Sequence, residues 1–195
     1  MLFAMTNRNS MTQKEIHIAI DATLSELLSV VSAFNEKEFN TSIAADSWTP
    51  GQITQHVVLS ISGFVELMKG PTQQTNRKTD EHVETIKNIF LNFTRKLKSP
   101  DFIIPEPKDY NKQDLLNTLR KLKSSLEEII ETAELDETCT AFGLPTLGNL
   151  TRQEALAFVI YHTKRHIHQL EGRPTTDHRP HGNLTNQEPS STFSF

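Results

Sequence analysis

The chain has 195 residues, 36% of them hydrophobic, which suits one domain with a buried core. A formal net charge of −4 leaves no basic footprint for nucleic acid, and no run approaches the roughly 18 consecutive apolar residues that span a bilayer. Cys139 is the single cysteine, so an internal disulfide and a thiolate zinc cluster are excluded, and any metal must rest on His, Asp or Glu.

Met1-Leu2-Phe3-Ala4-Met5 is too short for the apolar centre of a signal peptide, so a cytoplasmic protein is expected. Met1, Met5 and Met11 all precede the first helix, which leaves the start open; residues 1–10 read as disordered. The first helix opens with Thr12-Gln13-Lys14-Glu15, a capping box in which Thr12 is the N-cap. Ile16, Ile20, Leu24, Leu27, Val31 and Phe34 then recur at helical spacing and mark a buried face. His17 sits off that stripe and reads as a surface histidine. Residues 35–46 are polar and irregular, a predicted loop.

The second helix has the best-marked start in the chain. Thr49 is its N-cap, Pro50 suits the first helical position and Gln52 completes the box. It runs through Ile53, Val57, Phe64, Leu67 and Met68 and stops at Gly70-Pro71. His56 lies on the flank of its apolar stripe beside Ser60 and Gly63, small neighbours that predict room for a cavity. Alone, His56 is better explained as a hydrogen-bonded core histidine than as a ligand.

After a polar linker, Thr79-Asp80-Glu81 opens a shorter helix through Val83, Ile86, Ile89, Phe90 and Phe93, with Arg95, Lys96 and Lys98 complementing the dipole at its end. His82, in its first turn, reads as exposed. Pro100, Pro105 and Pro107 make residues 99–110 a connection. Asn111 caps the next helix, whose buried face carries Leu115, Leu119, Leu122, Leu126, Ile129 and Ala133. The following loop holds Gly143, Pro145, Gly148 and Cys139, which reads as an ordinary thiol in preference to a nucleophile. Thr151-Arg152-Gln153-Glu154 opens the last helix, and Gly172 and Pro174 end it. Residues 173–195, with His178 and His181, have little to bury and read as a disordered tail. The expected fold is therefore all-α: a four-helix bundle over residues 11–172, with an additional short helix between the second and third bundle helices and no strand pattern.

The last helix carries the chemistry. His162 and His166 are four apart, so their imidazoles stack one turn above the other on the apolar stripe shared with Ala155, Phe158 and Val159. His168 falls about 120° away and faces outward. Two neutral imidazoles one turn apart on a buried face offer a divalent ion two nitrogen ligands. Gln169, beyond His166, is equally well read as orienting a ligand or as a polar helix-end residue.

Trp48-Thr49-Pro50-Gly51-Gln52-Ile53-Thr54-Gln55-His56, followed near the end by Tyr161-His162-x-x-x-His166-x-x-Gln169, resembles the DinB/YfiT-like superfamily. The resemblance implies a four-helix bundle in which His56, His162 and His166 hold a divalent metal ion. It further implies a metal-dependent enzyme, such as a thiol S-transferase or isomerase using a low-molecular-weight thiol like bacillithiol or mycothiol, or a hydrolase. The alternative is a metal-binding bundle without turnover that acts in stress response. Expected partners are a small-molecule substrate or thiol and, in some readings, a second copy of the chain in a homodimer; neither nucleic acid nor membrane is expected. Zinc, nickel, iron and manganese all accept imidazole, and the sequence does not choose among them. No catalytic side chain stands out.

Overall fold

Each long helix begins where a side chain can accept its otherwise unpaired first N–H groups. The computed structural model describes residues 11–44 and 47–172; the expectations for residues 1–10 and 173–195, His178 and His181 among them, lie outside the described residues. Thr12 with Glu15, Thr49 with Gln52, and Thr151 with Glu154 form complete capping boxes at the starts of α1 (Gln13–Ala33), α3 (Pro50–Lys69) and α6 (Arg152–Glu171). Asn111 caps α5 (Lys112–Thr132) by accepting from the Asp114 N–H.

These four helices form the bundle, and their end contacts fix its directions. Gln13 donates to the Ile130 carbonyl and Lys112 to the Phe34 carbonyl, so α1 and α5 run antiparallel. Arg152 donates to the Met68 carbonyl, which sets α6 antiparallel to α3. Gln153 donates to the Met11 carbonyl, so α6 runs parallel to α1. It follows that α3 and α5 are parallel. Helices α1 and α3 each pack against both α5 and α6, which makes them diagonal partners across the core. Because α3 and α5 point the same way, the chain between them must return along the bundle. Helix α4 (Val83–Phe90) travels on this return and packs against α6. A 3-10 turn, Asp101–Ile103, follows and lies against α3.

Several local expectations give way to the structure. Within the predicted loop 35–46 stands a one-turn helix, α2 (Glu36–Phe39), with its own Asn35–Glu38 capping box and a fully buried Phe39. Helix α4 ends at Phe90, so Phe93 and the basic residues after it are outside the helix, and Phe93 is exposed. Two two-residue strands, β1 (Thr72–Gln73) and β2 (Thr138–Cys139), pair antiparallel and join two connections at one end of the bundle. Strands this short carry no readable alternation. Helix α1 is long and apolar enough to cross a membrane. Ile16, Ile20, Leu24, Leu27 and Val31 nonetheless form a stripe buried in the bundle core, while Ile18 is exposed.

At the β-strand end, Glu154 is a fully buried carboxylate. It binds the Arg77 guanidinium through both oxygens at 2.6 Å and accepts from the His82 and Thr151 N–H groups. Burial pushes its carboxyl up, but these four donors outweigh burial and hold it below the usual carboxylate value. Removing one member of such a pair strands the other charge. Arg77→Met is expected to cost about 3–5 kcal/mol of stability, read by urea unfolding. The sign with pH follows from the lowered folded value. The unfolded chain binds the Glu154 proton more readily, so the contribution is present above about pH 4.3 and fades as pH falls through the folded value.

Candidate metal centre

The antiparallel contact of α3 with α6 brings the first turns of α3 beside the last turns of α6. This is the end of the bundle opposite Arg77 and Glu154. His56 enters from α3, and His162 and His166 from α6; they are 2%, 5% and 8% exposed. His56 Nε2 and His166 Nε2 each lie 3.2 Å from His162 Nε2, and the ligand atoms of all three fall within 4.8 Å of one another. A tetrahedral ion with nitrogen ligands at about 2.0–2.1 Å needs those nitrogens about 3.3–3.4 Å apart. The donor set fits such an ion, and the two separations that involve His162 come close to that spacing.

The opposite nitrogens of the rings decide how each is held. His56 Nδ1 is 2.9 Å from the Ile103 carbonyl, which can only accept, so Nδ1 carries the proton and Nε2 presents its lone pair. His166 Nδ1 is 3.0 Å from Gln169 Oε1 and is fixed in the same way. Gln169 thus acts on His166, one of the two roles its position allowed. His162 Nδ1 is buried and has no hydrogen-bond partner among the described residues.

Aromatic side chains enclose the cluster. Trp48 lies 5.1 Å from His56 between ring centroids, while Phe90 and Phe158 each lie 5.3 Å from His162. In these surroundings the charged imidazolium is disfavoured. Burial lowers the pKa of His56 despite the opposing Ile103 hydrogen bond. Burial, with the neighbouring histidines and the Arg165 cation, drives His162 well below its usual value. His166 is brought to about 3, first by burial and then by His56. All three rings are therefore neutral at pH 7, the protonation state that a metal requires. The Arg165 guanidinium donates to the carbonyls of Phe90, Asn92 and Arg95, pinning the chain after α4 to α6 beside the cluster.

Other expectations fall away from the site. His168 is exposed and stacks on Phe93, 4.0 Å between centroids. His17 stands near Glu131 on the surface, and His82 is half-buried at the start of α4. The cavity expected beside His56 is not formed by Gly63. That residue is exposed, with nothing within 4 Å of where a Cβ would sit, and only Ser60 is buried. Cys139 is fully buried in β2, and burial pushes its thiol up, which suits an inert core residue. The Ile103 carbonyl had no signal in the sequence, since any residue supplies one. Arg165 and Phe90 showed none either, because their roles depend on the path of the chain after α4.

A protein-family model described as the DinB superfamily matches residues 19–170. No curated protein and no solved structure matches the chain.

The pKa shifts set the pH response of the metal-free protein. The unfolded chain binds protons at ordinary imidazoles near pH 6.5 that the folded rings refuse, so stability rises with pH and is lost as pH falls. For His166 the loss extends from about 6.5 down toward about 3. The urea midpoint of metal-free protein should fall between about pH 7.5 and about pH 5.5, where carboxylates stay ionised. In His166→Leu the fall should be shallower.

Proposed function

This chain belongs to the DinB superfamily, and on that footing we propose that His56, His162 and His166 hold one divalent metal ion at which a small molecule is turned over. The reaction is transfer of a low-molecular-weight thiol to an electrophile, or hydrolysis. The observation that carries this reading is the convergence of three buried, neutral imidazole nitrogens within 4.8 Å, two of them with the opposite ring nitrogen anchored. An ion held by three neutral ligands keeps a free coordination position and its full charge, and so acidifies a water or thiol bound there.

The chain's own residues do the positioning. The Ile103 carbonyl and Gln169 Oε1 hold His56 and His166 in the tautomer that aims Nε2 inward. Trp48, Phe90 and Phe158 exclude bulk water around the rings and lower the local dielectric, which strengthens any charge interaction made there. Zinc, nickel, iron and manganese all suit the donor set. The same reading keeps the expectation of a cytoplasmic protein acting on small molecules, alone or as a homodimer.

A second reading, a metal-binding module of stress response without turnover, is favoured by one feature. Among the described residues, no carboxylate hydrogen-bonds to any of the three rings, so no side-chain base is built beside the cluster.

Elemental analysis of the protein purified without a histidine tag should find about one divalent ion per chain, and His162→Ala should lose it. Unchanged occupancy in that variant would refute the site. Gln169→Leu leaves the His166 Nδ1–H without its acceptor and should weaken metal affinity about 10–100-fold. Metal-loaded protein should conjugate a generic electrophile with at least one low-molecular-weight thiol. A flat response across several thiols and a model ester would favour the module.

A further inference from the structure

His56 Nε2 and His166 Nε2 each face His162 Nε2 at 3.2 Å, where bare lone pairs repel, so a metal-free cluster needs a proton between them. Two rings cannot supply it. The protons of His56 and His166 are on Nδ1, held by the Ile103 carbonyl and by Gln169 Oε1. Of the three, the ring free to place its proton on Nε2 is His162, whose Nδ1 has no partner among the described residues. There a single N–H faces two acceptors at equal distance, His56 Nε2 and His166 Nε2.

We propose that His162 is a tautomer switch: in the metal-free protein its Nε2–H bridges the other two histidines in place of the ion, and on metal binding that proton moves to Nδ1. This inference rests on the metal reading of the site. The balance is simple. The N–H bond at Nε2 breaks, one forms at Nδ1, the freed Nε2 electron pair goes to the metal, and the ring remains neutral with no net proton gained or lost by it.

Two consequences follow. The bridge keeps the site assembled before loading, with the three rings near their ligand positions. Loading, by contrast, creates an N–H at Nδ1 with no acceptor among the described residues. Besides the other two imidazoles, whose ring nitrogens face Nε2, the rings packed on it are those of Phe90 and Phe158, and the nearby Arg165 offers only donors, already engaged with carbonyls. Metal-bound histidines normally donate this second N–H, and its loss weakens binding about 10–100-fold. His162 is therefore the weak ligand of the three, which makes the ion exchangeable.

The test is nitrogen-15 magnetic resonance of the full chain labelled at histidine, recorded metal-free and with zinc. The rings are assigned through couplings to their own backbone, with H162Q as a check. Metal-free protein should show Nδ1–H on His56 and His166 and Nε2–H on His162; zinc should convert His162 alone to Nδ1–H. Finding His162 already Nδ1-protonated before zinc overturns the switch while leaving the metal reading intact. Zinc that shifts none of the three rings overturns both. If H162Q does not fold, the ring-to-backbone couplings of the unaltered protein still decide the outcome.

Discussion

The structure depends on keeping three uncharged imidazoles together in an apolar interior. Burial makes each ring hard to protonate, and proximity to the other rings makes His162 and His166 harder still, so the cluster survives as neutral donors. That arrangement tolerates little slippage. A shift of one residue in α6 would rotate His162 and His166 by about 100° and take both away from His56. The register of α6 against α3 is therefore the quantity that the remainder of the chain has to hold.

That register is held from the far end. Thr151 and Glu154 cap α6, the Glu154 carboxylate binds Arg77 from the chain before α4, and Arg152 reaches the Met68 carbonyl at the end of α3. The short β1–β2 ladder joins the same two connections. The strand ladder and the buried Glu154–Arg77 pair thus lie at one end, and the imidazoles at the other, with an apolar core between them. The division has an electrostatic logic: a buried carboxylate near the histidines would favour their charged form, and the buried Glu154 is kept at the opposite end.

Much of this was legible in the residues. The Thr12, Thr49 and Thr151 capping boxes mark three of the four long helices because capping uses fixed residue types at a fixed spacing. The pairing of His162 with His166, and the exclusion of His168, follow from helical periodicity alone. His56 differs: its flank position suited a core histidine equally, and only the resemblance joined it to the pair. Helix α2 and the two strands were too short to show a period. The Gly63 cavity was misjudged because small size at a helical position does not distinguish a gap in the core from a face turned to water. The anchors of the rings were legible only in part. Gln169 declares itself as a side chain, whereas the Ile103 carbonyl is defined by chain path.

That backbone tether has an evolutionary consequence. The return crossing between α4 and α5 holds His56 through an atom that every amino acid possesses, while the side chains on either side of it, Phe102 and Ile104, project outward, Phe102 with 83% of its surface in solvent. Selection on the ligand geometry therefore constrains the length and route of this segment but hardly its composition. Substitutions at 102 and 104 can reshape the protein's outer surface close to the histidines without disturbing the ring beneath, so one rigid centre can be given new surroundings through a segment that is chemically free to drift.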